Sequence, residues 1–143
     1  SINSTVDMGA SITMAIGASE AGLHPVVACI GDSTFTHSGM TGLLDAVNNN
    51  NNIVVMILDN STTGMTGGQK SSAEGRLESI CAGLGVAPEH IRVIKPLPNQ
   101  HAINVQVVKE ELAYESESVI IPRRECIQTL SRKMRAKKAA ENK

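Results

Sequence analysis

Two short apolar runs in this chain end in side chains suited to a hard divalent cation. The first, Pro25 to Ile30 (PVVACI), runs into Gly31-Asp32-Ser33, and the second, Ile53 to Leu58 (IVVMIL), runs into Asp59-Asn60. Short continuous apolar runs bounded by turn residues read as fully buried parallel strands. In open sheets of such strands, ligands bind at the carboxyl ends. Residues 34–59, 26 in all, separate Ser33 from Asn60. That is room for a helix returning the chain to the next strand tip, so the Asp32 carboxylate and the Asn60 amide oxygen converge. Mg²⁺ takes oxygen ligands in octahedral geometry and is commonly shared between one or two side chains and bound phosphates. Asp and Asn also close strands in ordinary turns. Strand, spacing and the Gly-rich segment that follows together favour a phosphate-and-metal site.

Other residues near these tips fit the same chemistry. Gly31 lets a phosphate group approach the backbone, and a second helix predicted from Ser38-Gly39 to about Asn49 would offer its N-terminus to an anion. His37 suits a phosphate or substrate contact, and it also suits a cap on that helix. The segment Ser61 to Ser72 (STTGMTGGQKSS) is a polar, Gly-rich loop of a length that marks either function or disorder. Thr66 and Gln69 there could contact a ligand or simply belong to a flexible loop. Its glycines are costly to fix, so it is expected to become ordered only with ligand. His24, His90 and His101 lie beside turns or at polar helix positions and read as solvated.

The elements that must position these residues alternate. Val6 to Ala21, with Met8, Ile12, Ala15 and Ile16 at helical spacing, reads as a buried helix. Arg76 to Leu84 reads as a helix capped by Gly85, Ile91 to Ile94 as a strand, Asn99 to Ala113 as a helix capped by Asn99, and Ser118 to Ile121 as a last strand. This is an α/β pattern, a doubly wound, mostly parallel sheet with helices on both faces. Residues 1–126 form one domain, and 127–143 (IQTLSRKMRAKKAAENK) form a basic, helix-prone tail or linker. The start without Met, directly in a helical pattern, points to a piece of a longer polypeptide.

Composition narrows the partners. With 13 Lys and Arg against 14 Asp and Glu, the net charge of −1 argues against nucleic acid or a membrane surface. No apolar run reaches the roughly 18 residues of a membrane span, and the chain reads as cytoplasmic. Phe35 and Tyr114 are the only aromatic residues, so the core rests on aliphatic side chains. Cys29, Cys81 and Cys126 are too widely spaced for a zinc or iron–sulfur site and read as reduced thiols.

Gly31-Asp32-Ser33, the 26-residue spacer and Asn60 resemble the signature of thiamine-diphosphate enzymes, a Gly-Asp-Gly followed after a comparable spacer by Asn-Asn. Ser33 stands where that motif has its second Gly, and Asp59 where it has its first Asn; neither change removes a ligand. GDSTFTHSG (Gly31 to Gly39) and LDNSTTGMTGGQ (Leu58 to Gln69) are similar to the large subunit of indolepyruvate:ferredoxin oxidoreductases. The resemblance extends over roughly Val6 to Cys126. It implies Mg²⁺ ligands from the Asp32 carboxylate, the Asn60 side-chain oxygen and the Thr62 backbone carbonyl. It places the Val6 carbonyl near the cofactor's aminopyrimidine, Met8 beneath the bent cofactor with Gly9 allowing close packing, and Ser33, His37, Met65 and Thr66 among the cofactor contacts. An ordinary core methionine remains the other reading of Met8.

The resemblance further implies oxidative decarboxylation of a 2-oxoacid of the aryl pyruvate type to an acyl-CoA and CO₂, with ferredoxin as electron acceptor. The iron–sulfur clusters would lie elsewhere in the full enzyme. The glutamate that activates the cofactor belongs to a separate pyrimidine-binding domain, of the same or a second chain, so no catalytic residue is expected here and the assembly is a homo- or hetero-oligomer. Other readings stay open: another thiamine-diphosphate enzyme, such as a different 2-oxoacid oxidoreductase or a phosphonopyruvate-type decarboxylase; a non-catalytic phosphate-binding module; and a purely structural subunit.

Overall fold

The computed structural model of the chain describes residues 5–60, 62–63, 69–70, 75–124 and 131, with backbone alone at 62–63 and 69–70. The expectations for Met65, Thr66, Cys126, most of the loop 61–72 and all of the 127–143 tail except Ser131 lie outside those residues.

The aliphatic runs form the strands of one parallel sheet. They are β1 (Val27–Gly31), β2 (Val54–Leu58), β5 (Ile91–Ile94) and β6 (Ser118–Pro122), in the order β1-β2-β6-β5. A separate antiparallel ladder pairs β3 (Thr62–Thr63) with β4 (Gln69–Lys70), so the segment read as loop contains a short hairpin-like pairing. The helices are α1 (Ser11–Glu20), α2 (Asp32–Thr34), α3 (Met40–Asn48), α4 (Leu77–Gly83) and α5 (His101–Ala113).

Successive strand residues point to opposite faces. On one face Ala28, Ile30, Val55, Ile57, Val119 and Ile121 pack with Ile12, Ala15 and Ile16 of α1, Leu43 and Ala46 of α3, and Leu77 and Cys81 of α4. On the other, Val54 and Ile120 are buried and α5 packs on β6, but Val27, Cys29 and Leu58 are exposed. Helices therefore lie on both faces, as the alternation predicts, and the second face is open over β1. Burial pushes the Cys81 thiol up to about 12, so it is an inert core group.

Three expectations are corrected. The first helix begins at Ser11, because residues 7–10 form a turn in which Gly9 has φ +108°, a conformation that excludes α-helix. The second helical segment begins at Asp32, not Ser38; α2, a π-helical turn over Phe35–Gly39 and α3 run on without a break. Asn99 does not cap α5: it lies in the 3₁₀ turn Pro98–Gln100, and Gln100 occupies the cap position without a side-chain bond.

Candidate functional site

Register decides which side chains meet. In the parallel β1–β2 pair, Gly31 lies opposite Leu58. Asp32 and Asn60 therefore leave the sheet at the carboxyl ends of neighbouring strands, and paired strands lie about 4.8 Å apart. Asp32 is buried, at 3% exposure, whereas Asn60 is exposed. One oxygen of Asp32, Oδ1, accepts the Ser33 N–H at 2.8 Å. As the first residue of α2, Asp32 also sits where the helix dipole favours negative charge.

The helix start at Asp32 changes the meaning of the STFTHS run. Ser33 and His37, and Thr34 and Ser38, are four residues apart and so share a helix face. Ser33, Thr34, His37, Ser38 and Met8 line a cleft of about 250 Å³. The sequence reading does not single out Thr34, and it takes Ser38 only as a helix start; the signal for both is this i, i+4 spacing, hidden by placing the helix start too late. His37 is exposed inside the helical run, which rules out a cap on a helix starting after it. The π turn lies in the same segment, and such turns are frequent at functional sites. Its inner side is tight: a Cβ on Gly39 would stand 2.8 Å from Ile30 Cδ1.

Met8 is 71% exposed at the mouth of the cleft, so the core-methionine reading is excluded. Gly9 carries the turn that presents it, and a Cβ there would stand 2.5 Å from Ser38 Oγ as well as being strained by the positive φ. Val6 is exposed. Among the described residues, no atom lies within 4 Å of the place a Cβ on Gly31 would take, so the backbone there is open to approach.

The structure thus gathers Met8, Ser33 and His37 around one cleft, and puts Gly31, Asp32 and Asn60 at the adjoining tips of β1 and β2. Thr62 continues the chain from Asn60 into β3. Hard oxygen donors at neighbouring tips, an open backbone glycine and a hydroxyl-lined cleft fit a diphosphate held with Mg²⁺. Among the described residues no three His, Cys, Asp or Glu side chains gather to hold a metal. A wider groove of about 680 Å³ along Pro96, Leu97, Pro98, His101, Asn104 and Arg124 contains none of the candidate ligands. The smaller cleft is the better candidate because the strand-tip chemistry adjoins it.

Asp59, next to Asn60, has a different fate. It is 4% exposed, and its Oδ2 accepts from the Nε of Arg123. The Arg123 guanidinium also donates to both oxygens of Glu78, at 2.8 Å each. That bond holds Glu78 below the usual carboxylate range, and the same partner raises Arg123 above its ordinary value. Neither Arg123 nor Glu78 was legible from sequence, since their contacts join residues 45 and 64 apart.

Comparison with known proteins gives the family. Residues 2–118 match the family of thiamine pyrophosphate enzymes, C-terminal TPP binding domain. The chain is 35% identical over 94% of its length to indolepyruvate oxidoreductase subunit IorA of Archaeoglobus fulgidus, and 35% identical over 85% to that of Methanothermobacter thermautotrophicus. It spans 23% and 21% of those relatives. In fold it is similar to the thiamine diphosphate-dependent 4-hydroxybenzoylformate decarboxylase of Rhodococcus jostii RHA1, with a TM-score of 0.62 and 20% identity over 82% of this chain and 23% of that one.

Proposed function

Because the chain belongs to the family of C-terminal thiamine-pyrophosphate-binding domains of thiamine pyrophosphate enzymes, we propose that it anchors the diphosphate through Mg²⁺ in a 2-oxoacid oxidoreductase of the indolepyruvate type. The observation that carries the metal site is the β1–β2 register, which brings Asp32 and Asn60 to neighbouring strand tips. The Asp32 carboxylate, the Asn60 side-chain oxygen and the Thr62 carbonyl are the protein ligands; diphosphate oxygens and water complete the shell. Gly31 admits the diphosphate, and the Ser33, Thr34, His37 and Ser38 side chains supply polar contacts. Met8 faces the rest of the cofactor from the cleft and the Val6 carbonyl meets its aminopyrimidine, and Met65 and Thr66 add contacts from the segment after Thr62.

Thiamine diphosphate, when bound, supplies the carbanion chemistry by which a 2-oxoacid loses CO₂. The chain's own part is to hold, orient and neutralise the diphosphate. The identity to indolepyruvate oxidoreductase subunits supports an aryl pyruvate substrate. The acyl-CoA product and the passage of electrons through iron–sulfur clusters to ferredoxin belong to the same proposal, on parts of the enzyme outside this chain. A pyrimidine-binding domain, in the same polypeptide or a second one, completes the cofactor cleft in a cytoplasmic oligomer. Among the described residues no helix is long and apolar enough to cross a membrane. Residues 1–126 make up the cofactor domain, and the basic 127–143 segment is a tail or linker.

Titration calorimetry tests this reading. Thiamine diphosphate should bind with Mg²⁺ and not with EDTA, and ATP with Mg²⁺ should bind far more weakly. Equal affinity for the two would instead favour a general phosphate-binding module. Decarboxylation of a 2-oxoacid with an artificial acceptor should require added pyrimidine-binding domain, and turnover by the chain alone would contradict the division of labour.

A further inference from the structure

Arg123 stands at a junction that the ligand list leaves out. The Asp59 N–H donates to the Pro122 carbonyl at 3.0 Å, and the Arg124 N–H donates to the Asp59 carbonyl at 3.0 Å. The end of β2 is thereby laced to the end of β6 on either side of Arg123, whose own side chain grips the Asp59 carboxylate. The same guanidinium clamps both oxygens of Glu78, in the first turn of α4. Asp59 immediately precedes Asn60, and Glu78 immediately follows Leu77, where α4 begins. One side chain therefore joins both ends of the segment 60–77, which contains Asn60 and Thr62.

We propose that Arg123 is a positioning residue for the strand-tip metal site: by bridging Asp59 and Glu78 it fixes where Asn60 stands. This rests on the reading of Asn60 as a ligand. Two physical effects act together. A planar guanidinium bonded through three nitrogens sets an orientation that a flexible ammonium cannot. It also compensates the buried Asp59 charge, so an aspartate beside Asn60 does not add a second competing anion at a place where a diphosphate is to bind. That accounts for the tolerance of Asp59 where the broader motif has a neutral Asn.

The experiment is a double-mutant cycle read by calorimetry, as the Mg²⁺ concentration that half-saturates thiamine diphosphate binding, with melting temperature recorded in parallel. Arg123→Gln should raise that concentration about tenfold, the scale on which outer partners of metal ligands act. Arg123→Lys should restore little of it, having the charge without the fork. Glu78→Gln, at a half-exposed position where folding is not at risk, should raise it a fewfold. In an Asn60→Ala background, Arg123→Gln should add less than about twofold, because its effect runs through Asn60. Additive effects, or a tenfold change that Arg123→Lys fully rescues, would overturn the positioning role. So would unchanged Mg²⁺ dependence in both Arg123→Gln and Glu78→Gln. Failure of the parent chain to bind thiamine diphosphate would defeat the proposed function itself, a result distinct from binding that ignores Arg123.

Discussion

Among the described residues, two ion-pair networks enclose a buried carboxylate, and they occupy opposite ends of the sheet. At the carboxyl ends of the strands, Arg123 joins Asp59 to Glu78. At the amino end of β5, Glu111 of α5 is 1% exposed, 3.0 Å from Arg92 Nη1 and 2.9 Å from His90 Nδ1, and His90 stacks on Tyr114 with ring centroids 3.5 Å apart. The chemistry is nearly the same and the consequence differs. The first network ties together segments that flank candidate ligands; the second ties β5 to α5, neither of which offers one. Burial and ion pairing alone therefore do not mark a site. What they hold in place does.

The comparison predicts that changes at the strand tips alter ligand binding and leave stability nearly intact, with the reverse at the α5 end. The largest expected effect is that of Asp32→Ala, which should abolish Mg²⁺-dependent thiamine diphosphate binding while circular dichroism stays unchanged, because it removes the charged ligand. Asn60→Ala removes a neutral ligand that water can replace, and should cost about tenfold in affinity, or about 1.4 kcal/mol, just under the range of about 1.5–3 kcal/mol for bonds to charged groups. Calorimetry on both variants orders the two roles.

At the other end, Arg92→Met leaves the buried Glu111 with His90 alone. A fully buried pair broken in this way costs roughly 3–5 kcal/mol; Arg92 is about a third exposed, so about 2 kcal/mol is expected after solvent screening. Thermal denaturation should show a melting point lower by about 4–8 °C. Thiamine diphosphate affinity should stay within about twofold, since no ligand moves. A large loss of affinity would erase the distinction between the two networks.

The smallest effect is a pH dependence. Arg123 holds Glu78 below its ordinary value of 4.5, so its contribution to stability is fully present above that value and is lost as pH falls through the lower folded-state value. Because both partners are more than a third exposed, the contribution is under about 1 kcal/mol. Urea denaturation should show the parent slightly more stable than Glu78→Gln at pH 7, with the gap closing in acid below pH 4.5. A gap that widened in acid would reverse the assigned sign.

What was legible in sequence follows from how local each signal is. The four strands of the parallel sheet are legible to within two residues because aliphatic runs bounded by Gly, Asp and Pro specify themselves, whereas the β3–β4 pairing lies in a polar segment without such a run; the Asp32–Asn60 spacing follows from two such runs and one helix. The start of the second helical segment was misplaced because Asp32 serves at once as strand terminus and first helical residue, a double duty that turn propensities do not encode. Met8 was read at helical spacing, and the turn at Gly9 removed it from the core to the cleft. Arg123 was beyond sequence reading altogether, since its partners meet it only after β2, β6 and α4 assemble. His90, expected to be solvated, is instead bonded to the buried Glu111, a partner that α5 supplies only once it packs beside β5.

The most direct test of the account is the position of the metal. Crystals of the chain grown with thiamine diphosphate and Mn²⁺ in place of Mg²⁺ should show one anomalous-scattering peak between the tips of β1 and β2. That ion should be coordinated by an Asp32 carboxylate oxygen, the Asn60 side-chain oxygen and the diphosphate. A bound cofactor whose metal lies away from Asp32 and Asn60, or a diphosphate seated in the groove along Pro96 to Pro98, would contradict it.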